Sequence, residues 1–190
     1  MMDKSKTVIL GSGVSGIGAV KLAQKKGLDI FLSDSKNIKS ETKKLLSKLE
    51  VIYEEDGHTE SLIKDSNEII ISPGIDLRSL IKSKPSLKKK KIISEVEFAS
   101  RYTNAFIIAV TGTNGKTTTS KLIYHILKNS GFNVGLAGNI GYSFSESIVE
   151  NQFDYYVLEV SSFQLDYTIN FRPDISIITN ISPDHLDRYD

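Results

Sequence analysis

Glycine, lysine and hydroxyl side chains are concentrated in one short segment near the middle of the chain, residues 111–118, which reads TGTNGKTT. A strand-like apolar run, 105–110, precedes it, and a stretch with helical apolar spacing follows. This arrangement is suited to a triphosphate, because loop N–H groups and the helix N-terminus attract phosphates, the lysine neutralises them and the next hydroxyl binds Mg²⁺. The general pattern has a glycine where this chain has Val110, so the loop is a shorter variant. The flanking strand and helix weigh against the alternative, an accidental Gly-Lys-Thr turn.

Two polar residues further along the chain could join this loop. Glu159 is the one carboxylate in an otherwise apolar strand-like run. Charged side chains rarely lie in such strands unless they are paired or bind a metal, and we favour a Mg²⁺ ligand over a structural ion pair. His185 follows another predicted strand, 175–178, at what would be the same sheet edge. The sequence gives no reason to place His58 or His125 beside Glu159 and the phosphate loop.

A second glycine-rich turn lies near the N-terminus, where 11–16 reads GSGVSG. It follows a short apolar strand, precedes a helix that we expect to stop at Gly27, and is followed by a second strand that ends at Asp34. This β-α-β context predicts a phosphate approaching the helix N-terminus. A dinucleotide, another nucleotide and a plain tight turn all remain open. Asp34 could accept a ribose hydroxyl or could be a solvated loop residue.

The remaining elements predict an α/β fold. We expect further strands at 51–53, 68–72 and 91–93 and a helix near 41–49, with Ser72-Pro73-Gly74 at the end of the fourth strand, where ligands bind in open α/β sheets. The four lysines at 88–91 are interpreted as an exposed loop before an edge strand rather than a polyanion site. We predict a Rossmann-like domain with a parallel sheet over 1–93 and a P-loop domain of the ATPase type over 94–190.

Composition restricts the function further. The 190 residues carry a net charge of +1 and no cysteine, which excludes a disulfide framework and a thiolate nucleophile and gives no bulk attraction to nucleic acid or membrane. No apolar run approaches the roughly 18 residues of a membrane span, and the N-terminal apolar stretch is too short for a signal peptide. We therefore expect a cytoplasmic protein that binds no nucleic acid and does not insert into a membrane. We also expect the protein to be monomeric.

Four motifs in this order resemble the central domain of the Mur ligases, which add amino acids one at a time to the peptidoglycan precursor. They are TGTNGKTT at 111–118, GNIG at 138–141, EVSSFQL at 159–165 and NISPDHLDRY at 180–189. The third is similar to that of the D-glutamate-adding members, whose N-terminal domain also has a Rossmann-like glycine turn and a Ser-Pro-Gly segment. The resemblance covers essentially the whole chain.

The resemblance implies a role for individual residues. Lys116, Glu159 and His185 would be catalytic, with Lys116 on the β- and γ-phosphates, and Thr117, Glu159 and His185 would hold Mg²⁺. The implied ATP-binding residues are Gly112, Thr113, Asn114, Gly115, Lys116, Thr117 and Thr118. The implied contacts to a UDP-linked substrate are Val14, Ser15, Asp34, Ser35, Gly74 and Asn139. On this interpretation the N-terminal glycine turn binds UDP and not NAD.

The implied reaction joins D-glutamate to UDP-N-acetylmuramoyl-L-alanine through an acyl phosphate, with ATP and Mg²⁺. Because family members continue well beyond the position of Asp190, we expect this chain to be an N-terminal part that lacks turnover alone. Three alternatives remain: another Mur-type or folylpolyglutamate-type amide ligase, a non-catalytic nucleotide-binding module, and an NAD-dependent oxidoreductase. The last would leave the phosphate loop unexplained.

Overall fold

The computed structural model describes residues 6–186, in which helices alternate with strands to form two sheets. The first part contains β1 (Thr7–Leu10), α1 (Val14–Lys25), β2 (Ile30–Ser33), α2 (Ser40–Lys48), β3 (Ile52–Glu54), α3 (Glu60–Lys64), β4 (Glu68–Ile71), α4 (Leu77–Ser83), a 3₁₀ helix (Pro85–Lys89) and β5 (Lys91–Ser94). The second part contains α5 (Glu95–Ser100), β6 (Phe106–Thr111), α6 (Lys116–Asn129), β7 (Val134–Gly138), α7 (Phe144–Glu150), β8 (Tyr155–Glu159), α8 (Ser162–Leu165) and β9 (Ile175–Ile178). The predicted α/β class is confirmed.

Both sheets are parallel, and their strand orders are β3-β2-β1-β4-β5 and β7-β8-β6-β9. In the first sheet Leu10 lies opposite Ser33 on one side and Ile71 on the other. In the second, Val110 lies opposite Glu159. Because parallel strands end at the same edge, the glycine turn meets the segment after β2, and the phosphate loop meets the end of β8.

The two sheets share one hydrophobic cluster. It includes Ile9 and Leu32 from the first sheet and Ile107 and Tyr156 from the second, and all four are buried. Helix α1 packs against α7, and α5 packs against both of them. Residues of both sheets therefore pack in one core, while the division of the chain at residue 93 stays a prediction.

The segment around the four lysines differs from the expected loop. Its first part forms the 3₁₀ helix, which begins at Pro85, and β5 is the edge strand of the first sheet. Lys90 Nζ donates to the carbonyl oxygens of Lys64 and Ser66, at 2.5 and 2.6 Å, and Lys91 forms an ion pair with Glu68. Two of the four lysines are therefore occupied by contacts within the fold.

Within residues 6–186, no helix is long and apolar enough to cross a membrane.

Candidate functional site

A first cavity of about 630 Å³ opens where β1, β2 and β4 end. Five of the residues predicted to contact a UDP-linked substrate line it together: Val14, Ser15, Asp34, Ser35 and Gly74. They come from the glycine turn, from the segment after β2 and from the segment after β4. The parallel register of the three strands is therefore what brings these distant parts of the sequence to one cavity.

The glycine turn has a backbone shape that side chains would disrupt. Gly11 has φ of +95°, and a Cβ atom on Gly16 would lie 1.8 Å from the carbonyl oxygen of Gly11. Glycine is the residue that permits a positive φ and such a close backbone approach. Helix α1 starts directly after Gly13, which provides no side-chain cap, so N–H groups of its first turn are available to an anion.

Asp34 anchors this turn. Its Oδ2 accepts hydrogen bonds from the backbone N–H and the hydroxyl of Ser12, both at 2.6 Å, and its Oδ1 accepts one from the backbone N–H of Lys36 at 2.9 Å. Burial raises the pKa of Asp34, but the hydrogen bonds outweigh it and hold the pKa below its ordinary value. The carboxylate therefore holds the loop as an anion, a role of Ser12 and Asp34 that the sequence motif did not reveal.

A second cavity of about 600 Å³ lies at the phosphate loop. Gly112, Thr113, Lys116, Asn139 and His185 line it, and so do Pro73 and Gly74. Pro73 and Gly74 line the first cavity as well. The two cavities are thus neighbours that meet at the Ser-Pro-Gly segment.

Backbone geometry and side-chain contacts shape the phosphate loop. Gly112 has φ of +131° and Gly115 has φ of +81°. Lys116 Nζ donates to the carbonyl oxygens of Gly112 and Thr113, at 2.6 and 2.9 Å. Asn180 binds the loop from β9's end, donating through Nδ2 to the carbonyl of Asn114 at 2.8 Å and accepting from its N–H at 3.0 Å. Asn180 is a loop-holding residue that sequence reasoning did not assign.

Glu159 is buried beside this loop, with 2% of its surface exposed. Its Oε2 accepts from the Thr117 hydroxyl at 2.7 Å, and its Oε1 accepts from Asn139 Nδ2 at 3.0 Å. In the part of the chain that the structure describes, no Lys or Arg forms an ion pair with this carboxylate. A buried anion next to a hydroxyl fits a divalent cation, since oxygen atoms are the ligands that Mg²⁺ prefers.

His185 lines the second cavity but has different neighbours. Its φ is +52°, its ring centre lies 4.8 Å from that of Phe163, and its Nε2 is 3.7 Å from Asp184 Oδ2. The structure records no contact of His185 with Glu159 or Thr117, and residues 6–186 contain no cluster of three or more His, Asp or Glu side chains arranged for a metal. The motif residues Asp187, Arg188 and Tyr189 lie outside the described residues.

His58 has neighbours that the sequence did not show. It is buried, it lines the first cavity, and its Nδ1 lies 2.5 Å from the Ser33 hydroxyl. His58 does not line the cavity at the phosphate loop, as the sequence suggested, but the sequence did not show its contact with Ser33 at the end of β2. His125 is exposed on α6 and contacts Asn129, four residues further along the helix.

Comparisons with known proteins extend over both parts of the chain. A family model for the MurD N-terminal domain matches residues 6–81, and one for the Mur ligase middle domain matches residues 110–190. A protein from Bacteroides fragilis named UDP-N-acetylmuramoylalanine--D-glutamate ligase is 52% identical over 185 residues, which are 97% of this chain and 42% of that protein. One of the same name from Porphyromonas gingivalis is 49% identical over 191 residues, or 100% of this chain and 42% of that protein.

Two solved structures have the same fold. The ligase from Neisseria meningitides that joins UDP-N-acetylmuramate to L-alanyl-gamma-D-glutamyl-meso-diaminopimelate aligns with a TM-score of 0.55 at 20% identity, over 98% of this chain and 63% of that one. A murein peptide ligase from Psychrobacter arcticus aligns with a TM-score of 0.53 at 22% identity, over 96% and 44%. The chain spans about 42% of the length of the curated relatives it matches.

Proposed function

Because the chain belongs to the Mur ligase family, we propose that it takes part in ATP-dependent amide-bond formation between D-glutamate and UDP-N-acetylmuramoyl-L-alanine. The observation that carries this proposal is the contact between the two cavities at Pro73 and Gly74. A ligand with a nucleotide end in the first cavity can extend its other end to the phosphate loop in the second. The names of the Bacteroides and Porphyromonas relatives support this choice of substrates.

The first cavity would bind the uridine diphosphate. Val14 and Ser15 lie at the start of α1, where backbone N–H groups favour the diphosphate. Ser35 and Gly74 border the space on the sides of β2 and β4, and Asp34 keeps the turn in shape. Asn139 lines the second cavity and would meet the sugar or the alanyl group of the same ligand.

The phosphate loop, residues 112–118, would bind the triphosphate of ATP. Lys116 would exchange the carbonyl oxygens of Gly112 and Thr113 for phosphate oxygens, which accept stronger, charge-assisted hydrogen bonds. Thr117 and Glu159 would hold Mg²⁺, with His185 as a further candidate ligand. When bound, the ion would neutralise the charge that the phosphate oxygens carry.

The chemistry then follows from position and charge. The alanyl carboxylate attacks the γ-phosphorus of ATP and ADP leaves, which gives an acyl phosphate. The amine of D-glutamate attacks the acyl carbon, and phosphate leaves with the bonding electron pair. Lys116 supplies fixed positive charge on the phosphates in the first step, so the loop acts mainly through positioning and electrostatic stabilisation.

Calorimetric titration of the chain with UDP-N-acetylmuramoyl-L-alanine, with NAD as a parallel ligand, tests the assignment of the first cavity. The proposal predicts binding of the uridine compound and no binding of NAD. Binding of NAD alone would overturn it in favour of an oxidoreductase.

A further inference from the structure

A polar cluster lies behind the first cavity and has no part in the function proposed so far. It consists of Ser33, Glu54, His58 and Thr59. The Ser33 hydroxyl lies 2.7 Å from Glu54 Oε1 and 2.5 Å from His58 Nδ1. Glu54 also accepts from the backbone N–H of Thr59 at 2.8 Å and from its hydroxyl at 2.5 Å. The register of β2 and β3, which pairs Ser33 with Glu54, brings the cluster together.

The cluster fixes which nitrogen of His58 carries the proton. Burial raises the pKa of Glu54, but the hydrogen bonds from Thr59 and Ser33 outweigh it, so Glu54 is ionised. Ser33 has one hydroxyl proton and donates it to the carboxylate, which is the stronger acceptor. The Ser33 oxygen must then accept from His58 Nδ1–H. Burial also lowers the pKa of His58, so the ring is neutral and its Nε2 is an acceptor.

The residue that carries this acceptor borders the cavity. His58 is one of the lining residues of the first cavity. Within residues 6–186, the structure records no hydrogen bond to its Nε2, and His58 keeps 7% of its surface exposed. Asp34, at the same cavity, already uses three acceptor positions on Ser12 and Lys36. Because His58 Nε2 is a further acceptor at this cavity, it is suited to a ligand that offers a hydrogen-bond donor.

We propose that His58 Nε2 accepts a hydrogen bond from the nucleoside of the bound uridine diphosphate and so contributes to nucleotide binding in the first cavity. The diphosphate offers only acceptors at neutral pH, so it is no partner for this nitrogen. The donors of UDP outside the phosphates are the uracil N3–H and the two ribose hydroxyls. The inference rests on the proposed function, because it assumes that the first cavity binds a uridine nucleotide.

Two variants separate this role from a structural one. In His58→Asn the shorter amide can keep the contact with Ser33 but has no group at the position of Nε2. In His58→Gln the longer amide can place an acceptor oxygen near that position. Thermal unfolding of each variant monitors the fold. Each protein is titrated with UDP and with three analogues that each lack one donor: N3-methyl-UDP, 2′-deoxy-UDP and 3′-deoxy-UDP.

The proposal predicts that His58→Asn weakens UDP binding by roughly two- to tenfold, the value of one neutral hydrogen bond, and that His58→Gln recovers part of it. For one of the three analogues, the wild-type chain and His58→Asn should bind equally, which identifies the donor as the base or one ribose hydroxyl. Equal UDP affinity of wild type and His58→Asn would overturn the inference, as would an equal loss for all four ligands. If His58→Asn does not fold, a wild-type chain that binds all three analogues as tightly as UDP would overturn it. A wild-type chain that does not bind UDP would overturn the proposed function itself.

Discussion

The Thr117 hydroxyl donates a 2.7 Å hydrogen bond to Glu159 Oε2, and this contact joins the first turn of α6 to the end of β8. Glu159 is held from the other side by Asn139, whose side-chain amide donates to Oε1. The phosphate loop and the carboxylate are thus fixed relative to each other by groups that are themselves neutral. Thr117 and Glu159 are the residues that would hold a cation at this position.

Replacing the Glu159 carboxylate should remove the dependence of ATP binding on Mg²⁺. Glu159→Gln keeps an acceptor and the side-chain volume but removes the charge that would hold the ion. We expect Mg²⁺ to strengthen ATP binding to the wild-type chain and to have little effect on the variant, measured by titration with and without the ion. Glu150→Gln, an exposed change of the same kind on α7, is the control. Retained Mg²⁺ dependence in Glu159→Gln would refute the assignment of Glu159 as a metal ligand.

Removing the Lys116 side chain should weaken ligand binding in the second cavity much more than in the first. Lys116→Ala loses the charge-assisted hydrogen bonds to phosphate, so we expect ATP affinity to fall by roughly tenfold to a hundredfold. Binding of UDP-N-acetylmuramoyl-L-alanine should change much less, because the uridine end lies in the other cavity. Lys121→Ala, an exposed lysine on the same helix, should leave both affinities unchanged. Equal losses for both ligands in Lys116→Ala would contradict the division into two cavities.

The glycine turn allows a matched comparison of two glycines. A Cβ atom on Gly16 would lie 1.8 Å from the carbonyl oxygen of Gly11, whereas nothing lies within 4 Å of one on Gly13. We expect Gly16→Ala to lower the free energy of unfolding by about 1–3 kcal/mol, because backbone atoms must shift. Gly13→Ala should cost less than about 1 kcal/mol. Urea unfolding of both variants decides this, and similar losses would show that the close approach is not what requires glycine.

A buried carboxyl between α5 and α7 should make stability depend on pH. Glu95 is 1% exposed, and its Oε1 accepts from the backbone N–H of Ser145. Burial raises the pKa of Glu95 from 4.5 to about 7, against hydrogen bonds from Ser145 and Phe144 that lower it. The folded state therefore holds a proton that the unfolded state releases. This contribution is fully present below the unfolded pKa and is lost as the pH rises through about 7.

The neutral variant Glu95→Gln isolates this effect from the other titrating groups. Relative to the variant, the wild-type chain should lose up to about 3 kcal/mol of unfolding free energy between about pH 5 and about pH 8. Urea unfolding at a series of pH values measures the difference. Parallel pH profiles for wild type and Glu95→Gln would mean that Glu95 is not protonated in the folded chain.

The local elements of this fold could be predicted from the sequence because their signals are local. Strands β1 and β9 begin and end where the apolar runs do, and Gly27 and Gly131 have the positive φ expected after a helix. The strand orders could not be predicted, because pairing β1 with both β2 and β4 depends on contacts between distant segments.

The site was predictable to the same extent. The phosphate loop and Glu159 could be predicted, because the binding of phosphate and Mg²⁺ requires these residue types. The contacts of His58 with Ser33, 25 residues away, and of Asn180 with Asn114, 66 residues away, exist only after the strands have paired. For the same reason, sequence alone could place Thr117 and Glu159 on one sheet edge but could not show that they are in direct contact.

The most direct test of the central claim is a crystal structure of the chain with UDP-N-acetylmuramoyl-L-alanine bound. The two-cavity account predicts the uridine between the glycine turn and the segment after β2, near Asp34 and Ser35. It further predicts that the ligand passes Pro73 and Gly74 and places its alanyl carboxylate in the second cavity, within reach of Lys116 and Asn139. A ligand whose diphosphate occupies the loop at 112–118, or whose alanyl end points away from the second cavity, would contradict the account.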